Sequence, residues 1–133
     1  MKNIIGRINF SLPEKISTNK IYAGLHWSER QRLKNYYHLF MKQFANKIKI
    51  NDKDYPISIE YRFYWKANPL DSTNQTFLIK LIEDGLVDSR IIKDDDHKYI
   101  RSTKSTTILD KTKKYDYVDI FFMKEKELNM SAP

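Results

Sequence analysis

The chain contains no cysteine, three glycines and four prolines in 133 residues. Without cysteine there is no disulfide framework, no thiolate zinc site and no thiol nucleophile; the composition suits a cytoplasmic protein, which is the expectation. Three scattered glycines leave no glycine-rich loop to cradle a phosphate. The opening MKNIIGRINF has no long apolar run and does not read as a secretory leader. No stretch approaches the length of a membrane span, so no membrane partner is expected. No serine lies in a nucleophile-elbow motif, and His26, His38 and His97 are scattered.

What the chain has in excess is positive charge and aromatic rings. Lys and Arg number 24 against 17 Asp and Glu, a formal net charge of +7, and 14% of residues are aromatic, nine of them Tyr. Such a body suits an acidic partner, nucleic acid first and an anionic membrane surface second. The charge is not uniform: residues 71–96 hold seven acids (Asp71, Glu83, Asp84, Asp88, Asp94, Asp95 and Asp96) and three bases (Lys80, Arg90 and Lys93). A basic body around an acidic knot is the layout of a metal-dependent nuclease, in which the body holds phosphates and the knot holds the cation.

At this length the chain is one domain that buries roughly two-thirds of its unfolded surface. Residues 3–12 alternate, with Ile4, Ile8, Phe10 and Leu12 on one face, and read as a half-buried strand ended by Pro13. Residues 13–27 are irregular and long for a passive connection, which points to ligand contact. A helix opens at Ser28, where Ser28 and Gln31 have capping-box spacing, and carries the apolar stripe Leu33, Tyr37, Phe40, Met41 and Phe44. Residues 57–66 alternate cleanly as a second strand. A second helix follows Asp71 or Ser72 with the stripe Phe77, Leu78, Leu81 and Ile82, and Gly85 is placed to end it in a left-handed cap. Residues 99–109 and 115–123 read as two more strands joined by a polar hairpin loop, 110–114. The expected fold is therefore α+β, in the order β-α-β-α-β-β, with a mixed sheet and two main helices. The domain runs over residues 1–124, and 125–133 form a polar tail.

Asp71 stands at a strand-to-helix junction, and Asp94, Asp95 and Asp96 stand where the chain re-enters the sheet. If these carboxylates converge near Lys80, their mutual repulsion calls for a cation. Oxygen-only ligation selects Mg²⁺, with Mn²⁺ as a substitute. Lys15, Lys20, Lys66, Lys80, Arg90 and Lys93, in the irregular segment or flanking the acids, are the expected phosphate contacts.

Three blocks resemble the RusA-type Holliday-junction resolvases of phages and prophages. They are Ser11-Leu12-Pro13 with Asn19 and Tyr22; Leu70-Asp71-x-x-Asn74 followed by Lys80-x-x-x-Asp84-Gly85-Leu86; and Asp94-Asp95, ten and eleven residues after Asp84. Together they cover positions 10 to 100, and the helix-to-Asp-Asp block is the specific part. The resemblance implies a homodimeric, Mg²⁺-dependent endonuclease that resolves four-way DNA junctions by paired nicks in recombination and repair. It implies Asp71 and Asp95 as metal ligands with Asp94, Asp84 as a supporting acid, and Lys80 as the catalytic-site lysine. One departure stands out: the family's D-x-D-N motif here reads Asp71-Ser72-Thr73-Asn74, without the second Asp, and Lys80 comes six residues after Asn74. Two other readings compete: a catalytically weak or inactive DNA-binding or regulatory protein on the same fold, and a mobile-element interaction protein that blocks a host factor.

Overall fold

A computed structural model describes residues 3–12, 27–66 and 72–125. The fold is α+β: strand β1 (Asn3–Ser11), helix α1 (Trp27–Met41), strand β2 (Ile57–Trp65), helix α2 (Ser72–Asp88), and strands β3 (Ile100–Leu109) and β4 (Tyr117–Lys124). Among the described residues no helix is long and apolar enough to cross a membrane.

The four strands lie in the order β1-β4-β2-β3. β4 is antiparallel to both β1 and β2, so those two are parallel to each other, and β3 is parallel to β2. The sheet is thus mixed, and each helix crosses between parallel strands. The connection after β3 does not form a hairpin. β4 passes over the end of β2 and inserts between β1 and β2, and three bonds hold the crossing: Asp110 N–H to the Trp65 carbonyl (2.8 Å), Leu12 N–H to the Asp116 carbonyl (2.8 Å) and Lys66 N–H to the Asp116 carboxylate (3.1 Å). Side-chain chemistry explains the order. Val118, Ile120 and Phe122 are fully buried and demand a central strand, whereas Thr- and Ser-rich β3 is exposed along most of its length and tolerates the edge.

One face of the sheet meets the helices. Tyr61, Phe63 and Trp65 stack along β2, with ring centroids 6.2 and 5.7 Å apart, and all three are fully buried. Leu33, Tyr37 and Met41 of α1 and Leu78, Ile82 and Leu86 of α2 close the core from above. Phe40 and Phe77 are half-buried at its margin. On β1 the alternation breaks at a bulge between Ile4 and Gly6, so Ile4 pairs with Met123 and is 60% exposed while Ile8 and Phe10 are buried.

The first helix opens within one residue of the sequence expectation, and the end of the second differs from it. α1 is helical from Trp27, and the Gln31 amide donates to Asn35 (3.1 Å). α2 does not end at Gly85 but runs to Asp88, and Arg90 takes the left-handed position with φ 64°. Arg90 N–H donates to the Val87 carbonyl (3.0 Å) and Ile91 N–H to the Leu86 carbonyl (2.9 Å), the two bonds of a Schellman cap. Gly85 instead faces α1: a Cβ there would stand 2.7 Å from Met41 Cγ and 3.2 Å from the Tyr37 carbonyl oxygen. The glycine serves close helix packing, and the cap is built on a residue with a Cβ.

Candidate functional site

The close approach of α1 and α2 at Gly85 leaves a surface groove on the outer side of the helix pair. Arg30, Lys34 and His38 are four residues apart on α1 and form one wall. Its first part, a cleft of about 250 Å³, is lined by Arg30, Gln31 and Lys34 opposite Lys80 and Asp84, over a floor of Phe77 and Leu81. Its second part, a cleft of about 340 Å³, is lined by Lys34 and His38 opposite Asp84, Val87 and Asp88, with Asp95 closing the end. Lys34 and Asp84 belong to both, so the groove is cationic at one end and acidic at the other.

The acidic end gathers where α2 stops and β3 begins. Asp94 and Asp96 are occupied in the turn: Asp94 accepts the Asp95 amide (2.7 Å) and Asp96 accepts the Lys98 amide (2.9 Å). Asp95 is the member of the run that faces the groove. Its carboxyl titrates above the ordinary range through desolvation, a hydrogen bond and repulsion from Asp94, and the charge of Asp84. His38 Nδ1 lies 3.5 Å from the Asp88 carboxylate, and its buried Nε2 has no hydrogen-bond partner among the described residues.

Glu83 was not singled out by sequence pattern, yet it is the most unusual acid here. It is half-buried between α2 and the sheet, and its Oε1 accepts the Tyr61 hydroxyl (3.2 Å) and the Thr103 hydroxyl (3.4 Å). Burial pushes its pKa up, the two hydrogen bonds oppose the shift, and the charges of Asp95 and Asp84 add to it. An acid whose folded pKa is raised contributes most below its unfolded value, near 4.5, and stability then falls as pH climbs through the folded value. Glu83→Gln keeps an oxygen acceptor and removes the charge. Urea unfolding is therefore expected to show the variant more stable than the wild type at pH 7, with the gain closing by pH 4; a variant that is weaker at pH 7 would mean the carboxylate charge is compensated in the folded state.

The other expected contacts scatter. Lys80 is exposed at the cationic end of the groove, on the α2 side, one helical turn before Asp84. Lys93 is paired with Asp52 (2.8 Å), which raises its pKa through that hydrogen bond and charge. Arg90 sits exposed in the α2 cap, and Lys66 is exposed past β2. Asp71, Lys15 and Lys20 lie outside the described residues. Asp84 is twelve residues after Ser72 and so stands about 18 Å along the helix from its first residue.

The donors at the acidic end fit a hard cation in kind, since Asp84, Asp94 and Asp95 offer only carboxylate oxygens. Among the described residues no three His, Asp or Glu side chains are grouped closely enough to hold an ion by themselves. Compared with known families and curated proteins, the chain matches no family model and no characterised sequence.

Proposed function

We infer that this protein is a Mg²⁺-dependent endonuclease acting on branched DNA, four-way junctions included, in recombination or repair in the cytoplasm. The observation that carries this reading is the adjacency of the two clefts: Lys34 and Asp84 line both, so phosphates held at the cationic cleft would lie next to the carboxylates of the acidic one. Arg30, Lys34 and Lys80 supply the phosphate contacts, and the helical spacing of the first two fixes their separation. Asp84 and Asp95, with Asp94 next to Asp95 in sequence, would contribute to a Mg²⁺ site that needs a further ligand, for which Asp71 is the expected residue. The bound ion would activate water and stabilise the leaving oxygen. Lys80, one turn from Asp84, is placed to hold a phosphate oxygen against developing negative charge. Symmetric cutting of a four-way junction needs two such sites, and a C2 homodimer provides them.

The test is incubation with four-way-junction and linear duplex DNA in Mg²⁺ or EDTA. Nicking is expected on the junction and only with the metal. Asp95→Asn is expected to reduce it by about 100-fold or more while junction binding survives, since even outer-shell changes cost metal sites 10–100-fold. The second reading is a DNA-binding protein that does not cut. It is favoured by Asp94 and Asp96 being tied to turn amides. Metal-independent junction binding without nicking in any divalent ion would select it.

A further inference from the structure

The sheet has a second face, turned away from both helices, and its chemistry is unlike the groove's. Register and alternation place its side chains in rows: Tyr117 beside Tyr64, Asp119 beside Arg62, and Arg7, Phe121, Glu60 and Lys104 across all four strands. Arg7, Arg62 and Lys104 are exposed there, and Tyr64, Tyr117 and Phe121 are half-exposed. Phe121 lies between two guanidinium groups, Arg7 at 5.3 Å and Arg62 at 4.7 Å from its ring centre. Each cation is anchored: Arg7 donates two hydrogen bonds to Asp119 (2.7 and 2.6 Å) and Arg62 is paired with Glu60.

The Tyr64–Tyr117 pair, 6.1 Å between centroids, carries the Lys113 ammonium 5.3 and 5.0 Å from its two rings. Lys113 belongs to the β3–β4 crossing, which reads Lys111-Thr112-Lys113-Lys114-Tyr115-Asp116. Tyr115 is 56% exposed beside Lys114. Bases and rings therefore lie side by side along the rim as well as across the face.

The centre of a protein interface is enriched in aromatic rings and Arg but depleted in Lys and Glu. This face shares the rings and guanidiniums but adds Lys104, Lys113, Lys114 and Glu60, and its aliphatic residues lie at opposite corners, exposed Ile4 opposite Met123 and half-exposed Ile108 beside Tyr64. Planar cations and π faces side by side on open strands, edged by lysines, complement a ligand that has flat bases and a phosphate at every unit. We propose that the open face of the sheet, centred on Tyr64, Tyr117 and Phe121 and edged by Lys113, is a binding platform for an unpaired nucleic-acid strand. Bases stack on the tyrosine rings and the anchored guanidiniums, and Lys113 and Lys114 take the phosphates. The platform is separate from the helical groove and does not rest on cleavage.

The test is fluorescence anisotropy of a labelled oligothymidylate with the full chain, against a blunt duplex of equal length. The single strand is expected to bind more tightly. Tyr64→Ala with Tyr117→Ala is expected to weaken it by tenfold or more. The pair Lys113→Glu and Lys114→Glu, at sites outside the core, is expected to weaken it at least as much and to flatten its salt dependence. Two results would overturn the proposal: unchanged oligonucleotide affinity in the lysine variants at an unchanged melting temperature, or a tyrosine variant that keeps its affinity but loses self-association, which would make the face an interface between copies.

Discussion

Trp65→Ala is expected to lower the unfolding free energy by about 3–5 kcal/mol, the range for truncating a buried aromatic. Against the total of about 5–15 kcal/mol typical of a domain, that leaves little. The residue is fully buried at the end of the β2 ring ladder, with its plane within 6° of Phe63. It also holds a polar knot in an otherwise apolar layer. The indole N–H donates to Gln75 Oε1 (3.0 Å), and the Thr107 hydroxyl donates to the same oxygen (2.5 Å). Gln75 is only 2% exposed, so one buried amide ties β2, α2 and β3 together. Removing the ring opens a cavity between strand and helix and strips the amide of a donor. Trp65→Phe separates the two effects, because it keeps most of the volume and forfeits the hydrogen bond, at about 1–2 kcal/mol. Urea unfolding of both variants measures the difference. A Phe variant as damaged as the Ala variant would place the stabilisation in the amide rather than in packing.

The knot also shows what sequence pattern could reach. Alternation over residues 57–66 identified β2 and its inward face, because a strand buried on one side repeats its apolar residues every second position. Gln75 carries no such signal: a polar residue on an apolar stripe reads as surface until Trp65 and Thr107 are seen above and below it. The same limit hid Glu83, whose environment is made by Tyr61 and Thr103, 22 and 20 residues away in sequence. Strand order was hidden for a related reason. Residues 110–114 have hairpin chemistry, and nothing local says that β4 must cross β2 to bury Val118, Ile120 and Phe122 in the centre.

Within the candidate site, legibility followed distance along the chain. Lys80 and Asp84 share a helix face because they are four apart, and the structure places both on the groove. Asp94, Asp95 and Asp96 read as a uniform run, but two of the three carboxylates are taken by turn amides and one faces the groove. Asx-type hydrogen bonds decide that, and they depend on backbone turns that composition does not resolve. Arg30, Lys34 and His38 lie off the apolar stripe of α1 at a spacing of four, a helical row that sequence alone does not distinguish from a solvated basic face.

Gly85→Leu is expected to cost about 1–3 kcal/mol through overpacking, and to damage the groove as well as the fold. Helix propensity alone argues the other way, since replacing an interior glycine gains up to about 1 kcal/mol. Geometry decides the sign. The first atom of any side chain at this position would lie 2.7 Å from Met41 Cγ, 3.1 Å from Met41 Cβ and 3.2 Å from the Tyr37 carbonyl oxygen. Met41 is fully buried, its Cβ moves only with the α1 backbone, its Cγ only by a χ1 change that the packed core opposes, and a carbonyl in a helix cannot step aside. Relief comes from moving α1 away from α2. Alanine offsets part of the strain with its propensity gain; leucine adds three more carbons and does not. Separation of the helices widens the gap between Lys34 on one wall and Asp84 on the other, the two residues common to both ends of the groove. Thermal melting of the Ala and Leu variants should therefore fall in that order. Junction binding of the folded Leu variant should weaken at a temperature where circular dichroism shows it intact. A leucine variant that melts at or above the wild type would show that the helix pair has room, and the groove would then owe its width to something other than Gly85.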